Sequence, residues 1–69
     1  MRINIPLFRA EMAKAGYTRR RLAEELCIGY STLLRKIRNG SFTLAESEEI
    51  IRLLGIEDPG ALFFEPIDT

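Results

Sequence analysis

Turn signals at short, regular intervals constrain this chain most. Gly16, the triplet Cys27-Ile28-Gly29, the pair Asn39-Gly40, Gly55 and the pair Asp58-Pro59 cut it into short segments. Between these signals apolar residues recur at helical spacing, and strict alternation is absent throughout. The pattern predicts five short helices with brief connections and no strand, an all-α bundle. With one cysteine no internal disulfide forms, and with no histidine a Cys/His zinc site is out of reach. Cohesion therefore has to come from helix packing, which is marginal for one domain of 69 residues.

Each segment carries its own start and stop signals. Asn4 caps a first helix with Pro6 in its first turn, Phe8, Met12 and Ala15 share one face, and Gly16 ends it. Thr18 caps a second helix that turns Leu22, Ala23 and Leu26 inward. A third runs from about Tyr30 to Arg38 with Leu33 and Ile37 facing the core. Thr43 and Glu46 make a capping-box pattern for a fourth, whose apolar side is Leu44, Ile50, Ile51 and Leu54. A last short helix, Gly60 to Phe64, carries Leu62, Phe63 and Phe64 in a row, and Pro66 ends regular structure. A helix that short cannot turn all three inward, which points to a dimer contact near the C-terminal end.

Several function classes fall away. No apolar run approaches the roughly 20 residues of a membrane span. The first residues lack a signal-peptide pattern, so a cytoplasmic protein is expected. No glycine-rich phosphate loop and no nucleophile–base constellation is present, so neither an enzyme nor a cofactor, metal or small-molecule ligand is expected. Cys27 reads as a small turn residue rather than a redox sensor.

Net charge is zero, yet the charges are segregated. Residues 1–42 hold nine basic and three acidic residues, 9 − 3 = +6, and residues 43–69 hold one basic and seven acidic, 1 − 7 = −6. Such a chain has a positive end suited to phosphates and a negative end that should face away from them.

The stretch from Thr18 to Gly40 is a helix, a tight turn and a second helix. Ala23 is small where two steeply crossed helices touch, and Ile28 and Leu33 supply buried aliphatics in the turn and the second helix. This is a helix-turn-helix layout, whose second helix can enter the major groove of DNA. Tyr30, Ser31, Arg35 and Arg38 are its exposed positions, suited to phosphates and base edges. Lys36 reads as a peripheral phosphate contact or as having no role.

The strings LFRAEMAKAGYTRRRLAEEL, STLLRKIRNG, FTLAE and ALFFE, in that order, cover the chain from about Leu7 to Glu65. Together they resemble the Xre/Cro–CI family of phage-type transcriptional regulators, especially its short prophage members. The resemblance implies a lambda-repressor-like domain acting as a sequence-specific repressor or regulator, a homodimer on a two-fold site of double-stranded DNA. It also implies roles. Thr18 and Arg19 hold a phosphate, Tyr30, Ser31 and Thr32 read bases, and Arg35 follows one turn later with Leu34 beside it. Arg38, Asn39 and Ser41 touch the DNA backbone. The chain departs from the family pattern at Cys27, where glycine is usual in the turn, at Gly29, where Ser or Thr often caps the recognition helix, and at Arg19, where glutamine is common. A rival reading is a protein-interaction module, such as an antitoxin or an anti-repressor, which the acidic second half would suit.

Overall fold

A computed structural model describes residues 2–64, together with all their side chains except that of Phe64. The order is β1 (Arg2–Ile3), α1 (Ile5–Ala15), α2 (Arg19–Glu25), α3 (Tyr30–Asn39), α4 (Leu44–Leu54), α5 (Pro59–Leu62) and β2 (Phe63–Phe64). The five helices form the body, as the turn signals predict. Each starts where a short polar side chain or glycine precedes it. Asn4 accepts from the Leu7 N–H at 3.2 Å and Thr18 from the Arg21 N–H at 3.1 Å. Asp58 accepts from the Ala61 N–H at 3.3 Å. Gly29 precedes α3 with no side-chain cap.

The capping box of α4 is complete. Thr43 Oγ1 accepts from the Glu46 N–H at 3.1 Å, and Glu46 Oε1 accepts from the Thr43 N–H at 2.9 Å. These contacts satisfy amide donors that a helix start would otherwise leave unpaired.

The core gathers Phe8 and Met12 of α1, Leu22 and Ala23 of α2, Leu33 and Ile37 of α3, and Ile50 and Leu54 of α4. Ile3, Phe42, Ile56 and Leu62 join it from the flanks. Leu26, Ile28 and Ile51 are partly buried against it.

Two apolar assignments change. Ala15 is exposed: it shares the face of Phe8 and Met12 but is the last residue of α1, past the part of the helix that the core covers. Leu44 is 76% exposed: as the first residue of α4 it lies off the face that Ser47, Ile50 and Leu54 turn inward.

The C-terminal segment also differs from the expected Gly60–Phe64 helix. α5 is a single turn, and Phe63 is already extended, with φ −109° and ψ 105°. β1 and β2 pair antiparallel, Arg2 opposite Phe64 and Ile3 opposite Phe63, and the Asn4 N–H donates to the Leu62 carbonyl at 2.9 Å. Strands of two residues show no alternation in sequence, so the pattern could not announce them. The change of conformation gives two of the three apolar residues in a row separate places. Leu62 is fully buried, and Phe63 sets its ring edge-on to Phe42, centroids 6.4 Å apart at 81°. Leu62 and Phe63 are thus satisfied within their own chain. The Phe64 side chain and residues 65–69, including the helix-ending Pro66, lie outside the described residues.

The corner between α2 and α3 contains a strained residue. Cys27 has φ +59°, the left-handed conformation in which glycine is usual. The Cys27 N–H donates to the Glu24 carbonyl at 3.1 Å and the Ile28 N–H to the Ala23 carbonyl at 3.0 Å. These paired bonds close a helix end by a Schellman motif. Cys27→Gly is expected to raise stability by about 0.5–1 kcal/mol, relief of side-chain strain outweighing glycine's larger unfolded-state entropy. Urea denaturation checks this, and a lowered midpoint would contradict it.

Candidate nucleic-acid interface

α2 and α3 are joined by Leu26, Cys27, Ile28 and Gly29. Buried Leu22, Ala23 and Leu33 fix the two helices to one core, so the polar positions around them are held rather than loose.

Thr18, Arg19, Ser31, Arg35, Arg38, Asn39 and Ser41 are exposed, and Tyr30, Thr32 and Leu34 are half-buried. Along α3, Ser31, Arg35 and Arg38 follow at i, i+4 and i+7 and form one stripe. Leu33 and Ile37 lie on the opposite, buried side. Asn39 closes α3, and Gly40 after it adopts φ +65°, which turns the chain into Ser41.

Thr18, Arg19, Leu34 and Arg38 come together along a groove of about 540 Å³ between α1, the start of α2 and α3. Arg9 of α1 lines the same groove, a residue that sequence reasoning did not single out. Nothing in the local pattern of α1 announces it, since the shared groove depends on where the fold sets α1 relative to α3.

Tyr30 does not stand alone at the start of α3. The Arg20 guanidinium lies over its ring, 4.5 Å from the centroid. Arg21 lies likewise over Tyr17 at 4.9 Å. Such stacking is worth roughly 0.5–1 kcal/mol at exposed sites and orients both partners. The run Arg19-Arg20-Arg21 thus separates by role. Arg19 faces the groove, and the two that follow each cover an aromatic ring.

Lys36 is tied to the acidic half. Its Nζ donates to Glu46 Oε1 at 2.8 Å, with both side chains mostly buried. Glu46 is therefore shared between the α4 capping box and α3. The Lys36 hydrogen bond, aided by those from Thr43, holds the Glu46 carboxyl below its ordinary range despite some desolvation. A lowered carboxyl pKa stabilises the fold at pH values above the unfolded-state pKa, and that contribution fades as pH falls through the folded-state value. Glu46→Gln keeps an acceptor for the cap but removes the charge. It is expected to cost about 1 kcal/mol near neutral pH, with the gap closing in acid. Denaturation of both proteins across the acid range checks this. A gap that persisted undiminished in acid would contradict it.

The remaining cations are less engaged. Arg52 pairs with Glu49 at 2.6 Å, but among the described residues no ion pair engages Arg19, Arg35 or Arg38. Neighbouring carboxylates therefore leave these three guanidinium groups available to an outside anion. Among the described residues no cluster of three or more Cys, Asp or Glu is arranged to hold a metal ion. Nor is any helix among them long and apolar enough to cross a membrane.

Comparison with protein-family models, with curated proteins and with solved structures gives no match to this chain.

Proposed function

We propose that this chain is a sequence-specific, double-stranded-DNA-binding transcriptional regulator. It inserts α3 in the major groove and resembles the short phage and prophage members of the Xre/Cro–CI regulators. One observation carries the reading. Arg19, Arg35 and Arg38 are exposed and free of ion pairs among the described residues, on two helices fixed to one core by a tight turn. Guanidinium groups held this way suit phosphate oxygens and the O6/N7 edge of guanine. In this reading Arg19 and Thr18 approach a phosphate. Ser31, Thr32 and Arg35 face base edges beside Tyr30 and Leu34, and Arg38, Asn39 and Ser41 follow the backbone. Arg20 acts as a positioning residue, since it fixes the ring of Tyr30. Two copies occupy a two-fold site with half-sites about 34 Å apart, and occupancy of that site in the cytoplasm regulates transcription.

The test is the affinity for random duplex DNA as a function of salt, followed by selection from a random duplex pool. Each phosphate contact contributes about 0.9 to the slope of log affinity against log salt. Arg19→Ala is expected to lower affinity evenly across sequences and to reduce that slope by about one per protomer. Absence of salt-dependent duplex binding would overturn the reading and leave a protein-interaction module in its place.

A further inference from the structure

Among the described residues two large apolar side chains stay exposed, Ile5 at 37% and Leu44 at 76%. They hold the same place in two helices of equal length. Ile5 is the first residue of α1 and Leu44 the first of α4. Four residues on, where a helix brings the next side chain onto the same edge, α1 carries Arg9 and α4 carries Glu48. Both are exposed, and neither is in an ion pair among the described residues. The two helices thus present the same edge, apolar then charged, with opposite signs.

Ile5 and Arg9 also line the groove beside α3. Its other cations are Arg19 and Arg38, and no carboxylate lines it. A groove with three guanidinium groups and an exposed isoleucine suits an occupant that is apolar and anionic. The start of α4 is such a surface.

We propose that this occupant is a second copy of the same chain. Leu44 of one protomer enters the groove beside Ile5 of the other, and Glu48 meets Arg9. In this proposal the contact repeats reciprocally about a two-fold axis and so closes as a dimer; species larger than a dimer in sedimentation would overturn that closure. Zero net charge leaves no overall repulsion between copies, while the segregation into +6 and −6 favours approach of unlike ends. A small anionic ligand would account for the arginines but would leave the matching edge of α4 without a role.

A docked copy covers the groove side of Thr18, Arg19 and Arg38. Self-association and DNA binding then exclude one another, and the dimer is a store distinct from the pair of copies on DNA. That consequence rests on the DNA reading, whereas the self-association does not.

The experiment is sedimentation equilibrium without DNA, from about 1 μM to about 1 mM protein. Wild type is expected to show a monomer–dimer equilibrium that weakens as salt is raised. Leu44→Ser, Arg9→Glu and Glu48→Arg should each weaken it about tenfold or more, and Arg9→Glu combined with Glu48→Arg should restore most of the loss. All three positions are exposed, and unchanged helical circular dichroism confirms that each variant folds. A wild type that stays monomeric, a Leu44→Ser variant that dimerises like wild type, or a double exchange no better than its single members would each overturn the proposal. Random-duplex binding measured on the same samples separates the two readings. Dimerisation that follows the expected pattern with no duplex binding by any variant keeps the self-association and removes the DNA reading.

Discussion

Leu33→Ala is expected to lose about 2–5 kcal/mol of stability. Leu33 is fully buried in the core cluster that also holds Leu22 and Ala23 of α2 and Ile37 of α3. Truncation leaves a void among Leu22, Ala23 and Ile37, which are already packed in the same core and can collapse only in part. A domain of this length has a total stability of roughly 3–10 kcal/mol, so the loss is a large fraction of it. The midpoint temperature should fall by about 10–30 °C. Leu34→Ala is the control. It sits next in sequence but is only half-buried, so its cost should stay below about 1 kcal/mol. Thermal unfolding of both variants decides the matter. Near-equal effects would mean that α3 is not rotated as described.

Arg35→Ala is expected to weaken specific DNA binding by about 1–3 kcal/mol per half-site and to relax preference at one position of that half-site. Arg35 lies on the exposed stripe of α3, one turn after Ser31, and among the described residues no carboxylate pairs with it. A guanidinium there can present two parallel donors to guanine without first breaking a bond inside the protein. The measurement is affinity for a selected site and for each of its single-base variants. Equal loss on every sequence would reassign Arg35 to a phosphate, and no loss would remove it from the interface. Stability should be unaffected, because the side chain is exposed, and this separates Arg35→Ala from Leu33→Ala.

Features governed by neighbours along the chain are legible in the sequence. Asn4, Thr18, Thr43 with Glu46, and Asp58 begin helices because a short polar side chain reaches an amide three residues on, a relation written directly in the residue order. The inward faces of α2 and α3 follow from helical spacing for the same reason. The family resemblance marks Cys27 as a usual glycine position and so suggests a differently shaped turn, whereas Cys27 itself adopts the left-handed conformation.

Features that depend on how elements lie against each other are not legible in this way. Lys36 reads as a peripheral phosphate contact or as having no role until α4 brings Glu46 to it, ten residues away in sequence. Arg20 reads as a solvated neighbour of Arg19 with no role of its own until the corner folds Tyr30 under it. Leu44 reads as core because its residue type is apolar, but the rotation of α4 is set by Ser47, Ile50 and Leu54. In the candidate interface, the residue types and their order come from sequence. The grouping of Thr18, Arg19, Leu34 and Arg38 around one groove with Arg9 comes from the placement of α1, α2 and α3 around the common core.

The pairing of Arg2–Ile3 with Phe63–Phe64 has a consequence for how the protein is made. It joins segments some sixty residues apart, so closing this ribbon encloses nearly the whole described chain in one loop. During synthesis α1 to α4 emerge first. Ile3 and the Asn4 N–H then wait for partners that do not yet exist, Phe63 and the Leu62 carbonyl. At about 5–20 residues per second the segment after Gly55 takes roughly a second to follow. For that interval the nascent bundle has an open seam along α1, where Leu62 is destined to be buried. Chaperone capture and proteolysis of the nascent chain should therefore concentrate in this interval, and the arrival of Leu62 and Phe63 should end it.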